Sequence, residues 1–90
     1  MIETVETKQR VTKLLLKEMS LDVPSPDVDL IATGHLDSIT FVVLLQRLER
    51  EFEICIELED LEIERFRSIT KIAEFIGRAR QAQAERAVSP

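Results

Sequence analysis

The chain predicts an all-helical fold, a four-helix bundle with a short third helix and a long loop between helices one and two. Three observations lead there. Only two Gly and three Pro occur in 90 residues, too few to punctuate many short strands joined by tight turns. Apolar residues make up 44% of the chain, yet the aromatics are four Phe with no Trp or Tyr, so the packing rests on Leu, Ile and Val. Those residues recur at helical spacing in several stretches. A chain of this length is one domain around a single hydrophobic core.

The first helix is predicted from Glu3 to Met19. Val11, Leu14, Leu15 and Met19 share a face, Val5 extends the pattern backwards, and exposed positions alternate in sign, as on a solvated helix. Ser20 to Leu36 then contains Pro24 and Pro26 without usable periodicity and reads as a long loop. Leu21, Val23, Val28, Leu30, Ile31 and Leu36 are spaced along it as anchors that would lay it against the core.

The second helix runs through the apolar stretch ending at Phe52. With residues placed 100° apart from Ile39, the side chains of Phe41, Leu44, Leu45, Leu48 and Phe52 fall within about 140° to 240°, whereas Ile39, Val42 and Val43 lie on the opposite side. The broad stripe is a core face. The smaller patch, crowded into the first turns, has two readings: a second buried side of a central helix, or a surface that meets partners.

After Phe52 the residues Ile54, Ile56 and Leu58 alternate with period two. A lone strand has no partner in such a chain, so the segment is an extended linker whose apolar residues plug the core. Glu57 to Arg65 provides one short helix with Leu61 and Phe66 turned inward. Ser68 caps the last helix, which places Ile69, Ile72, Ala73, Ile76 and Ala79 on one face with Phe75 at its edge. Gly77 ends or weakens that helix. The domain is expected over residues 1–83, with 84–90 a frayed tail.

A net charge of −5 and a pI near 4.9 disfavour a phosphate backbone, so nucleic acid is not an expected partner. No apolar run reaches the length of a membrane span and no basic segment precedes an apolar one, so a cytoplasmic protein is expected. The single cysteine, Cys55, rules out an intrachain disulfide, fits a reducing compartment, and reads as a small buried hydrophobe. Acids crowd residues 49–64, either as a surface that attracts basic partners or as a solvated face that keeps a small protein soluble.

The rest of the chain presents one stretch, Gly34-His35-Leu36-Asp37-Ser38-Ile39. Asp and Ser suit a helix entrance because their oxygens accept from unpaired backbone N–H groups, and a phosphate ester on Ser38 would sit at the positive end of the helix. Gly34 permits the turn before it. His35 is the only histidine and reads as a surface loop residue. A catalytic triad is not expected from three groups within four consecutive residues, and neither a phosphate-cradling glycine loop nor a histidine cluster for metal is present.

Read together, GHLDSI, the helix FVVLLQRLEREF, the extended FEICIEL, a short acidic segment and the closing SITKIAEFI resemble the phosphopantetheine-dependent carrier proteins, which include acyl, peptidyl and D-alanyl carriers. The resemblance covers roughly residues 5 to 79. It implies an acyl-carrier-like bundle without catalysis of its own, carrying acyl or aminoacyl groups as thioesters on a 4'-phosphopantetheine arm derived from coenzyme A. Ser38 would be the covalent anchor and Asp37 a residue recognised by the phosphopantetheinyl transferase. Implied partners are that transferase, an acyl- or aminoacyl-activating ligase and downstream enzymes, each meeting a monomeric carrier.

Members often place acids in the first turns of this helix to dock basic partners. Here those positions hold Thr40, Phe41 and Val43, which points to a specialised or aminoacyl carrier rather than the general fatty-acid one, with Ile39, Val42 and Val43 as partner contacts. The alternative is an unmodified helical module that binds a partner through the same patch.

Overall fold

The computed structural model describes residues 2–57 and 61–88, and side chains over 5–57 and 61–83. Among the described residues the regular structure is three α-helices and one 3-10 turn: α1, Ile2–Met19; α2, Ser38–Phe52; the 3-10 turn, Ile63–Phe66; and α3, Ile69–Val88. There is no strand among the described residues. α1 packs against both α2 and α3, and the 3-10 turn lies against α3. The single helical turn occupies part of the stretch where the sequence predicts a short third helix. Leu58, expected to plug the core, lies outside the described residues.

One cluster fills the interior: Val11, Leu14 and Leu15 from α1; Leu44, Leu48 and Phe52 from α2; Phe66 from the 3-10 turn; and Ile69, Ile72, Phe75 and Ile76 from α3. These are the helical stripes read from periodicity, with two exceptions. Val5 and Leu61 are exposed rather than inward. Val5 stands near the start of α1, more than one turn ahead of Val11, the first residue of the core cluster. Phe75, placed at the edge of the last helix by its angle, is buried because the ring of Phe66 comes to meet it at 4.9 Å.

The ends of the helices account for their own backbone groups. Ser20 takes a left-handed φ of 55° and lets the Leu21 N–H reach back to the Leu15 carbonyl at 2.8 Å. Glu53 does the same for α2 at φ 53°, donating to the Glu49 carbonyl. The extended segment that follows is no strand, because its backbone is satisfied by side chains. The Glu49 carboxylate accepts from Ile56 N–H at 2.9 Å, and Gln83 both accepts from Cys55 N–H at 2.8 Å and donates to the Glu53 carbonyl at 3.1 Å.

That arrangement corrects the reading of Cys55. Ile54 points into the core, Cys55 turns to the surface, and the thiol is exposed. Gly77 does not end α3; the backbone stays helical to Val88, beyond residue 83 where fraying is expected to begin, and side chains from 84 on lie outside the described residues. Ser68 caps α3 as expected, its hydroxyl accepting from Lys71 N–H at 3.2 Å. No described helix is long and apolar enough to cross a membrane.

α1 and α2 are joined at the surface by Arg10, whose guanidinium lies 4.4 Å above the Phe52 ring and donates to both the carbonyl and the carboxylate of Glu51 at 3.0 Å. Residues 20–37 hold turns and bends but no helix. They are laid on the core through buried Val23, Leu30 and Leu36, with Leu21, Val28 and Ile31 partly buried beside them. Pro26 accepts through its carbonyl from Thr70 N–H at 3.0 Å, and the Thr70 hydroxyl reaches the Asp27 carboxylate at 3.0 Å. The middle of this segment is therefore fastened to the start of α3.

Candidate functional site

The geometry around Ser38 is set by the turn that precedes it. Asp29 organises that turn from its own atoms: Oδ1 accepts from Ile31 N–H at 3.1 Å and Ala32 N–H at 3.0 Å, while its carbonyl accepts from Thr33 N–H at 3.1 Å and the Thr33 hydroxyl at 2.8 Å. Gly34 then takes φ 81°, a left-handed conformation that a Cβ would strain. Leu36 N–H closes the loop on the Leu30 carbonyl at 2.9 Å. Because Leu30 and Leu36 are both buried, the next two residues are delivered outward.

Asp37 is the N-cap of α2, in extended backbone, and its Oδ1 accepts from Thr40 N–H at 2.8 Å. That hydrogen bond holds its carboxyl below the usual carboxylate range. Ser38 is the first helical residue and its side chain is exposed. No acidic side chain occupies the first turn, so a negative group on the Ser38 oxygen would share the positive end of the helix with the Asp37 carboxylate alone, which already takes Thr40 N–H.

His35 is half-buried with Nδ1 2.6 Å from the Thr33 hydroxyl. That hydroxyl also lies 2.8 Å from the Asp29 carbonyl, so Thr33 links the histidine to the Asp29 turn. The histidine thus braces the turn. Among the described residues no group of His, Cys, Asp or Glu is arranged to hold a metal ion.

The small apolar face of α2 is a surface rather than a second core. Ile39 is 78% exposed and Val42 52%, with Val43 partly covered. Two residues that sequence reasoning did not place there join the exposed apolar set, Ile63 at 50% and Leu61 at 36%. Ile63 opens the 3-10 turn and Leu61 lies two residues before it; the turn is tied to the first turns of α2 by an edge-on contact of Phe66 with Phe41 at 5.3 Å. The alternation Leu61, Ile63 in sequence resembles any inward pair. Nothing local marks it as outward.

Several acids of residues 49–64 are engaged within the molecule. Glu51 pairs with Arg10 at 3.0 Å, Glu62 with Arg65 at 3.5 Å, and Glu64 with Arg67. Arg67 also donates through Nε to Asp29 Oδ2 at 2.9 Å. It lies at the site's edge and carries no mark in the sequence, since its partner Asp29 is far away along the chain.

The family model described as phosphopantetheine attachment site matches residues 9–76. The matched span takes in most of α1, the connecting segment, all of α2, the 3-10 turn and the first turns of α3. Neither a curated protein nor a solved structure matches the chain. Carrier domains of this family are generally non-catalytic, are modified by a phosphopantetheinyl transferase and work with biosynthetic enzymes. Ser38 presents an exposed hydroxyl on the first residue of a helix, preceded by a hydrogen-bonded turn and followed by an exposed apolar face. The chain belongs to the phosphopantetheine attachment-site family, a carrier whose cofactor is covalently bound 4'-phosphopantetheine.

Proposed function

We propose that Ser38 is the residue that bears the arm and that the chain is a discrete carrier of acyl or aminoacyl groups, with residues 1–83 as the carrier domain. The observation behind this reading is the exposure of Ser38 at the first position of α2, on a turn held by Asp29, Gly34 and Leu36. In this reading the 3-10 turn stands where a four-helix carrier has its short third helix. The arm supplies a thiol on which cargo rides as a thioester, at high effective concentration for any docked enzyme.

Modification joins the Ser38 oxygen to the β-phosphorus of coenzyme A, breaks the pyrophosphate bond and releases adenosine 3',5'-bisphosphate. The hydroxyl proton passes to a base of the transferase, because an ordinary serine is a weak nucleophile. Asp37 serves twice, capping α2 and offering the transferase a carboxylate beside the anchor. Ile39, Val42 and Val43 form the partner face. Its apolar character, with no acid in the first turn, favours a specialised or aminoacyl carrier over one that docks by charge, and an activating ligase and downstream transferase as its partners. We place the carrier, as a monomer, in the reducing cytoplasm, where an exposed free thiol at Cys55 persists.

Intact-mass spectrometry tests the assignment. Incubation with coenzyme A and a broad-specificity phosphopantetheinyl transferase is expected to add one phosphopantetheine to the chain and none to Ser38→Ala. Failure to modify the chain under conditions that modify a control carrier would instead favour a helical module that binds partners unmodified through Ile39, Val42 and Val43.

A further inference from the structure

Two arms of the fold meet at Ser38, and one side chain grips both. On the upstream arm, Arg67 Nε donates to Asp29 Oδ2 at 2.9 Å, and the Arg67 carbonyl accepts from Leu30 N–H at 2.7 Å. Leu30 in turn accepts from Leu36 N–H, the residue before the Asp37 cap. On the downstream arm, Arg67 Nη1 pairs with Glu64 inside the 3-10 turn. The neighbouring Phe66 ring carries that turn onto Phe41, whose N–H donates to the Asp37 carbonyl at 2.8 Å. Both paths start at Arg67 and end at Asp37.

We infer that Arg67, acting through Asp29, is a positioning residue that holds the Ser38 turn and the 3-10 turn as one docking unit for the transferase. This rests on Ser38 being the modified residue. Asp29 and Arg67 are far apart in sequence and each side chain is about a third or more exposed. A pair so open to water adds little to global stability. Its consequence is geometric, because the guanidinium fork addresses two carboxylates on separate segments from one rigid plane, which a lysine ammonium does not reproduce. The Asp29 oxygens divide the work, with Oδ1 taking the turn's N–H groups and Oδ2 taking Arg67.

That division makes the inference separable from folding. In Asp29→Asn the remaining oxygen still accepts from Ile31 and Ala32, while the new amide group cannot accept from Arg67. Steady-state modification by a broad-specificity transferase with coenzyme A would be measured for the wild type, Asp29→Asn, Arg67→Gln, the double variant and Arg67→Lys, beside thermal unfolding of each. Each single substitution is expected to raise the KM for the carrier by at least about twofold, the lower bound for residues coupled in one network, with kcat and the unfolding temperature nearly unchanged. The double variant should match Arg67→Gln, which already loses both the Asp29 and the Glu64 contact, and Arg67→Lys should fall between wild type and Arg67→Gln. Unchanged KM in both singles, additive effects in the double, or KM rising only in step with lost stability would overturn it. If the wild type is not modified, or Ser38→Ala is, the assignment of Ser38 fails instead.

Discussion

Replacing Phe66 by alanine should do more damage than any other single change at the junction of the 3-10 turn and the bundle. The ring has no solvent exposure and meets Phe41 at 5.3 Å, with planes 73° apart, and Phe75 at 4.9 Å. Truncating a fully buried Phe costs about 3–5 kcal/mol, and two ring contacts of this geometry, each worth about 0.5–1.5 kcal/mol beyond area, keep the loss off the lower end of that span, at about 4 kcal/mol. A domain of this size is held by roughly 5–13 kcal/mol. At about 4–8 °C per kcal/mol the melting temperature should fall by about 16–32 °C. Phe66→Leu, which keeps most of the volume, should lose about 1.5 kcal/mol or less. Urea unfolding followed by far-UV circular dichroism reads both, with an unchanged m-value showing that only stability moved. A loss below about 1.5 kcal/mol for the alanine variant would refute the packing argument, since no fully enclosed ring is removed so cheaply.

The two glycines should respond with opposite signs. No atom stands within 4 Å of where a Cβ would project from either one, so conformation alone decides: Gly34→Ala at φ 81° should destabilise by about 1–2 kcal/mol, whereas Gly77→Ala inside α3 should stabilise by about 1 kcal/mol, and equal thermal shifts for both would contradict the assigned backbone. Asp37 has its carboxyl pulled down by the Thr40 N–H, so its contribution is complete above the ordinary carboxylate range and is lost as pH falls through the lowered value. The melting-temperature gap between wild type and Asp37→Ala should accordingly be present at about pH 6 and narrow toward about pH 3; a gap that widens on acidification would reverse the assignment. Cys55 is exposed, so a thiol reagent should label the native protein without denaturant, and labelling only after unfolding would show the thiol enclosed.

Much of this molecule is local in origin. The stripes Val11-Leu14-Leu15, Leu44-Leu48-Phe52 and Ile69-Ile72-Ile76 are buried as their spacing requires, because a helix repeats every 3.6 residues whatever it packs on. Asp37 and Ser68 cap the helices they precede, since a cap needs only the N–H groups two or three residues ahead. Gly34 takes the left-handed turn for an equally local reason. The failures are of another kind. Pattern alone turns Val5 and Leu61 inward and both are exposed, helical angle puts Phe75 at an edge and it is buried, and residue type buries Cys55 although its thiol is open. Each depends on whether a distant element comes to cover the side chain.

What the amino-acid order determined by itself was a set of helices with Asp-Ser at the entrance of α2 and an apolar patch behind it, because capping and periodicity act over a few residues; the carrier role came from resemblance to a family. Only the tertiary structure decided that Ile39 and Val42 stand in solvent rather than in a second core, and that Arg67 reaches back to Asp29. Exposure and long-range ion pairing are properties of how separate segments are brought together, and that information is carried by the packed core as a whole rather than by any one stretch of chain.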